Sequence, residues 1–97
     1  MTKEDILATL LREKNHLQKE YGVEKIGLFG SCSRGEATSQ SDIDIYVELK
    51  ENSFRKLASL WNYLEDLYGG IKVDMVNKHR HAKSEIFKSI QQETIYI

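Results

Sequence analysis

Six residues of this chain are of types suited to handling phosphate oxygens and their counter-ions: Gly30, Ser31, Arg34, Asp42, Asp44 and Asp74. Asp42 and Asp44 stand in "SDIDIYVEL", an alternating stretch rich in β-branched residues. In a strand, successive side chains point to opposite faces. Ile43, Ile45 and Val47 then share the core face, while Asp42, Asp44 and Tyr46 share the other. Two carboxylates at that spacing repel each other, and a divalent cation offsets the repulsion. Mg²⁺ suits the role because it takes one or two carboxylates together with waters and substrate phosphate oxygens. "VDMV" repeats the theme, with Asp74 between apolar neighbours. If its strand lies beside the first, three carboxylates converge. Such sites hold two ions and set a carboxylate near an attacking hydroxyl. Tyr46 either lines a ligand pocket on that face or packs against the first helix.

Upstream, "KIGLF" runs into the Gly30-Ser31 turn. Glycine lets backbone approach a ligand closely, and N–H groups at a helix start favour anions. Ser31 adds a hydroxyl, and Arg34 a planar fork that pairs with phosphate. Each segment alone has a plainer reading, an exposed strand-edge aspartate or an ordinary turn. In this order they make a phosphate holder followed by a metal holder.

These residues need elements to position them. Ile6, Leu7, Leu10, Leu11 and Leu17 recur at helical spacing, predicting a helix from Lys3 to Tyr21, with Thr2 as N-cap and Gly22 as its stop. A buried strand is expected at 25–29, a short helix at 31–36, a polar loop at 37–41 and a second strand from Asp42 to Leu49. Ser53 caps a helix whose stripe is Phe54, Leu57, Leu60, Trp61, Leu64, Leu67 and Tyr68, ended by Gly69 and Gly70. "IKVDMV" is a third strand. Residues 77–83 form a charged loop, and Ser84 opens a last helix with Ile86, Phe87 and Ile90 inward. The closing "TIYI" is apolar enough to be extended. The expected architecture is α/β (α+β): a small mixed sheet of about three strands with helices on one face, in a single domain over residues 1–97. The helix joining the second and third strands suits a βαβ crossover.

Composition bounds the partners. A net charge of −1 gives no global footprint for a nucleic-acid backbone. Lys72, Lys78, Arg80 and Lys83 cluster with His79 and His81, which reads as a solvated loop. The cations there argue against metal binding by the histidines. His16 reads as surface, and Cys32, the one cysteine, as a small turn residue; a lone cysteine fits a reducing compartment. The start lacks a signal peptide's apolar core, and no run approaches a membrane span. A cytoplasmic location is therefore expected. The chain has no proline.

Read as G-S-x-x-R-G-x-x-x-x-x-S-D-I-D, the stretch "GSCSRGEATSQSDID" resembles the signature of the DNA polymerase beta nucleotidyltransferase superfamily. It looks most like the minimal nucleotidyltransferases (MNT), the antitoxin partners of HEPN toxins. The resemblance implies a nucleotidyltransferase-type fold, with Asp42 and Asp44 as paired metal ligands. It gives Asp74 as the third carboxylate, a ligand that also helps deprotonate the acceptor. Gly30 and Ser31 would grip the nucleotide phosphates, and Arg34 would reach them. It implies transfer of AMP from ATP, with two Mg²⁺ ions, to a tyrosine hydroxyl of a cognate HEPN RNase toxin. Nucleic acid would then be met only through the toxin. An alternative is an antitoxin that neutralises by binding alone, through Trp61, Tyr63, Tyr68 and "TIYI". A third is transfer to a small molecule, which would require an acceptor region that a homodimer could build. A hetero-oligomer with the toxin is the other assembly that would complete the site.

Overall fold

The computed structural model describes residues 2–35, 42–51, 53–78 and 84–97. The expected loop at 37–41 and the residues His79, Arg80, His81 and Lys83 lie outside that set. The elements run α1 (Lys3–Tyr21), β1 (Val23–Phe29), α2 (Gly30–Ser33), β2 (Ile43–Leu49), α3 (Phe54–Leu67), β3 (Val73–Asn77), α4 (Ser84–Glu93) and β4 (Ile95–Tyr96).

Local signals set the ends of the long helices. Thr2 Oγ1 accepts from the Asp5 N–H at 3.1 Å, and Asp5 Oδ2 accepts from the Thr2 N–H at 3.2 Å, a reciprocal capping box. Gly22 ends α1 at φ 66°, a left-handed conformation that costs glycine little. Ser53 Oγ accepts from the Lys56 N–H and starts α3.

The sheet is mixed, in the order β3-β2-β1-β4. β1 pairs antiparallel with β2 and with β4, whereas β2 pairs parallel with β3. The α3 crossover makes that parallel pair possible. β4 is the strand added to the expected three, and it comes from the "TIYI" end. Ile26, Leu28, Ile43, Ile45, Val47 and Val73 form the inner face of the sheet, against Ile6, Leu10 and Leu17 of α1 and Leu60 and Leu64 of α3. Fully burying each such side chain stabilises the fold by about 1.5–3 kcal/mol.

Several expected apolar contacts differ. Tyr68 is buried, as its place on the α3 stripe requires and against the alternative of a partner surface, and its hydroxyl donates to the Ile6 carbonyl at 2.9 Å, joining α3 to α1. Phe54, at the start of α3, is 85% exposed, and Ile86 is exposed rather than inward. Trp61 is half-buried: its Nε1–H donates to the Val73 carbonyl at 2.6 Å, while the Val73 N–H donates to Glu65 Oε2 at 3.1 Å. α3 thus occupies both outward-turned backbone groups of Val73 on the sheet's end strand.

On the outer face, Gly27 lies between Tyr46 of β2 and Tyr96 of β4. The chain leaving α4 passes directly over it. A Cβ at Gly27 would stand 2.5 Å from the Ile95 carbonyl oxygen and 2.5 Å from Thr94 Cγ2, which explains a glycine in mid-strand.

Candidate active site

β2 brings the carboxylates together with the turn. Asp44 pairs with Phe29, the last residue of β1, on one side, and in parallel register with Asp74 of β3 on the other. Asp42 lies just before β2, on the same face, where Lys72 Nζ stands 3.7 Å from Asp42 Oδ2. The chain leaves Phe29 into Gly30, whose φ is +73°. A Cβ on Gly30 would overlap Asp44 Oδ2 and lie 3.0 Å from Asp44 Cγ. Two constraints, a left-handed backbone and the press of a carboxylate, therefore require glycine at this position. The turn and the carboxylate strand touch.

α2 is a single helical turn. The Arg34 N–H donates to the Gly30 carbonyl at 3.3 Å, and Ser33 Oγ to the same oxygen at 2.8 Å. Ser31 contributes backbone to α2, and its side chain, like that of Cys32, lies outside the described set. Arg34 Nη1 pairs with Glu93 Oε1, from the end of α4.

Negative charge is crowded around Asp44. Burial first, then the charges of Asp74, Asp42 and Glu93, raise its proton affinity above the usual carboxylate range, and Arg34 opposes them. Among the described residues, no three His, Cys, Asp or Glu side chains stand as a ready-made metal cluster.

Tyr46 lies on this face, away from α1, so it does not pack against the first helix. It is buried beneath α4 and Tyr96, whose ring meets it edge-on at 6.1 Å. Its hydroxyl donates to Glu48 Oε2 at 2.7 Å and accepts from Gln91 Nε2 at 2.8 Å. Burial, more than any other cause, pushes the phenol up to about 12. Tyr46 therefore braces α4 against the sheet. A cavity of about 280 Å³ lined by Lys14, Gln18, Val23, Glu24 and Tyr96 lies towards the opposite end of β1 and includes none of the three aspartates.

Sequence reasoning placed Asp42, Asp44, Asp74, Gly30 and Arg34 in one region, and the fold brings them together. It missed Glu93 and Gln91. The available signal was slight: Glu93 is a carboxylate at a helix C-terminus, where the dipole favours cations.

The Polymerase beta, Nucleotidyltransferase family matches residues 13–97. The protein adenylyltransferase MntA of Thermococcus cleftensis is 42% identical over 98 residues, covering 100% of this chain and 97% of that one. A solved structure of a candidate minimal nucleotidyltransferase superposes with a TM-score of 0.83 at 29% identity, covering 98% of this chain and 95% of that one. A complex of a tri-AMPylated Shewanella oneidensis HEPN toxin with an MNT antitoxin contains a chain matching at a TM-score of 0.58 and 22% identity, over 91% of this chain and 70% of that one.

Proposed function

Because the chain belongs to the polymerase beta nucleotidyltransferase family, as a minimal member of the protein adenylyltransferase type, we propose that it is an antitoxin that moves AMP from ATP to a tyrosine hydroxyl of a HEPN-type RNase toxin. The observation that carries this reading is the contact of Gly30 with Asp44, beside Asp74 in register. It sets a turn that backbone-bound phosphate can approach against paired carboxylates. The near end-to-end match to a protein adenylyltransferase supports a protein acceptor. The complex of an AMPylated HEPN toxin with an MNT antitoxin supports the kind of acceptor.

In the reaction, the acceptor oxygen bonds to the α-phosphorus of ATP while the bond from that phosphorus to the pyrophosphate oxygen breaks. The hydroxyl proton passes to a carboxylate, a role that falls to Asp74. The products are an adenylylated tyrosine and pyrophosphate. Gly30 admits the phosphates close to the backbone, Ser31 adds its hydroxyl, and Arg34 offers its fork to a phosphate oxygen. Asp42, Asp44 and Asp74 are the residues that would hold two Mg²⁺ ions. They fit the ion: all their donors are carboxylate oxygens, and burial first, then the neighbouring charges of Asp74, Asp42 and Glu93, disfavour the ionised form of Asp44, a penalty that a cation would offset. Bound there, Mg²⁺ supplies neutralisation of the charge on the attacking and leaving oxygens.

The test is incubation with α-labelled ATP, Mg²⁺ and a candidate HEPN-type RNase toxin. Label is expected on a toxin tyrosine, located by mass spectrometry, and is expected to vanish with Asp44→Asn. An unlabelled toxin that still binds this protein would overturn transfer. Full neutralisation by Asp44→Asn would favour inhibition by binding alone.

A further inference from the structure

Glu93 is placed against two local preferences. It is the last residue of α4, where the helix dipole disfavours a carboxylate. It also faces Asp44 closely enough to add to the negative charge there. Among the described residues one contact offsets both, the ion pair with Arg34. A residue set against its helix and a neighbouring charge, with one compensating partner in the site, is better explained by function than by stability.

The residues around Glu93 hold it in place. Gln91, two residues earlier, donates to the buried Tyr46 hydroxyl at 2.8 Å. Thr94, the next residue, is buried, its hydroxyl donates to the Ile90 carbonyl at 2.6 Å, and its methyl lies over Gly27. Beyond it, Ile95 pairs with Leu28 in the sheet. Glu93 is therefore presented to Arg34 from a helix end anchored on both sides. Arg34, by contrast, follows a single helical turn and is an exposed side chain with many rotamers.

From this we infer that Glu93 is a positioning residue for nucleotide binding: it holds the Arg34 guanidinium beside Asp44, so that its remaining N–H donors meet the ATP phosphates without first being ordered. The guanidinium has five N–H donors in a planar fork, more than one carboxylate on its edge can engage. The inference rests on the adenylyltransferase reading only in naming ATP as the ligand.

The test compares wild type with Glu93→Gln, Glu93→Asp, Arg34→Ala and the double variant Glu93→Gln/Arg34→Ala. Affinity for a non-hydrolysable ATP analogue is read by calorimetry in Mg²⁺, and KM and kcat by AMP transfer. Glu93→Gln should weaken analogue binding and raise the ATP KM about fivefold, the upper range for a partly exposed ion pair, with kcat changed by less than about twofold. Glu93→Asp should restore most of that loss. The double variant should bind no worse than Arg34→Ala, because the two residues act as a unit. Unchanged or tighter binding by Glu93→Gln would overturn the inference, as would losses that add in the double variant. A fall in kcat alone would overturn it too. Thermal melting of each variant checks folding, and a change in melting without a change in affinity would assign Glu93 a structural role only. If wild type binds the analogue but transfers no AMP, the adenylyltransferase reading fails while the affinity series still decides the role of Glu93. Wild type that binds no analogue would sink both.

Discussion

Replacing Gly30 by alanine separates two effects that the fold has merged at one position. Gly30 and Gly69 have nearly the same backbone, φ +73° and +68°. A side chain in that region costs about 1–2 kcal/mol at either site. In a domain of this size that lowers the melting temperature by about 5–15 °C. The surroundings differ. A Cβ on Gly69 meets nothing within 4 Å, whereas one on Gly30 overlaps Asp44 Oδ2 and lies 3.0 Å from Cγ and 3.2 Å from Cβ of Asp44. Because the root of the aspartate side chain is blocked as well as its tip, rotating the carboxylate gives no relief, and the residue must move bodily. A displacement of about 1 Å in a reacting group costs about 100-fold in rate. Gly69→Ala should therefore melt lower yet transfer AMP at the wild-type rate below its melting transition. Gly30→Ala should melt at least as low and transfer about 100-fold more slowly. The assay is label transfer to the partner toxin, run beside circular-dichroism melts. Near-wild-type transfer by Gly30→Ala would refute the claim that Asp44 must sit where Gly30 allows it. Equal losses in the two variants would show that activity merely follows stability.

Folded Asp44 holds its proton more tightly than unfolded Asp44, so its ionisation opposes folding, and stability is lost as pH rises through its folded pKa. Asp44→Asn should accordingly melt above wild type at about pH 7, with the gap closing below about pH 4, where the wild-type carboxyl is protonated in both states; a variant melting at or below wild type at neutral pH would contradict this. Mg²⁺ should raise the wild-type melting temperature, by about 2.7 kcal/mol of added stability at 100 times its dissociation constant, and should leave Asp44→Asn and Asp74→Asn nearly unmoved. Tyr46→Phe keeps the buried ring and removes the hydroxyl between Glu48 and Gln91. It should lower stability by about 1 kcal/mol, read as a lower urea midpoint with an unchanged slope.

Much of the fold was legible because its signals are local. Thr2, Gly22 and Ser53 set helix ends by chemistry within a few residues of themselves, and the alternation of Asp42 to Val47 assigned each side chain its face. The motif likewise put Gly30, Arg34 and the aspartates in one region. Non-local pairing was less accessible. No pattern in "VDMV" states that Asp74 lies opposite Asp44, because a parallel register is set by the α3 crossover and not by the strand itself. The need for glycine at position 27 likewise comes from the chain after α4, which crosses it. Glu93 and Gln91 left little trace in the sequence for the same reason, since their roles depend on that crossing. Tyr68 closes the apolar stripe of α3 and is also a candidate for a partner surface; the Ile6 carbonyl satisfies its hydroxyl inside the core, so the stripe and not the surface describes it.

The Trp61 and Glu65 contacts to Val73 bear on the behaviour of the protein in a crowded cell. The outer strand of any open sheet is a template on which a foreign strand can dock, and repeated docking leads to fibres. Many proteins block such a strand with proline, and this chain has none. Here the indole and the carboxylate take the hydrogen bonds that an incoming strand would need at Val73. They shorten the usable template to the stretch from Met75 onward. Two side chains of α3 thus protect β3 from recruitment by other chains, and substitutions there would be felt first as a tendency to polymerise.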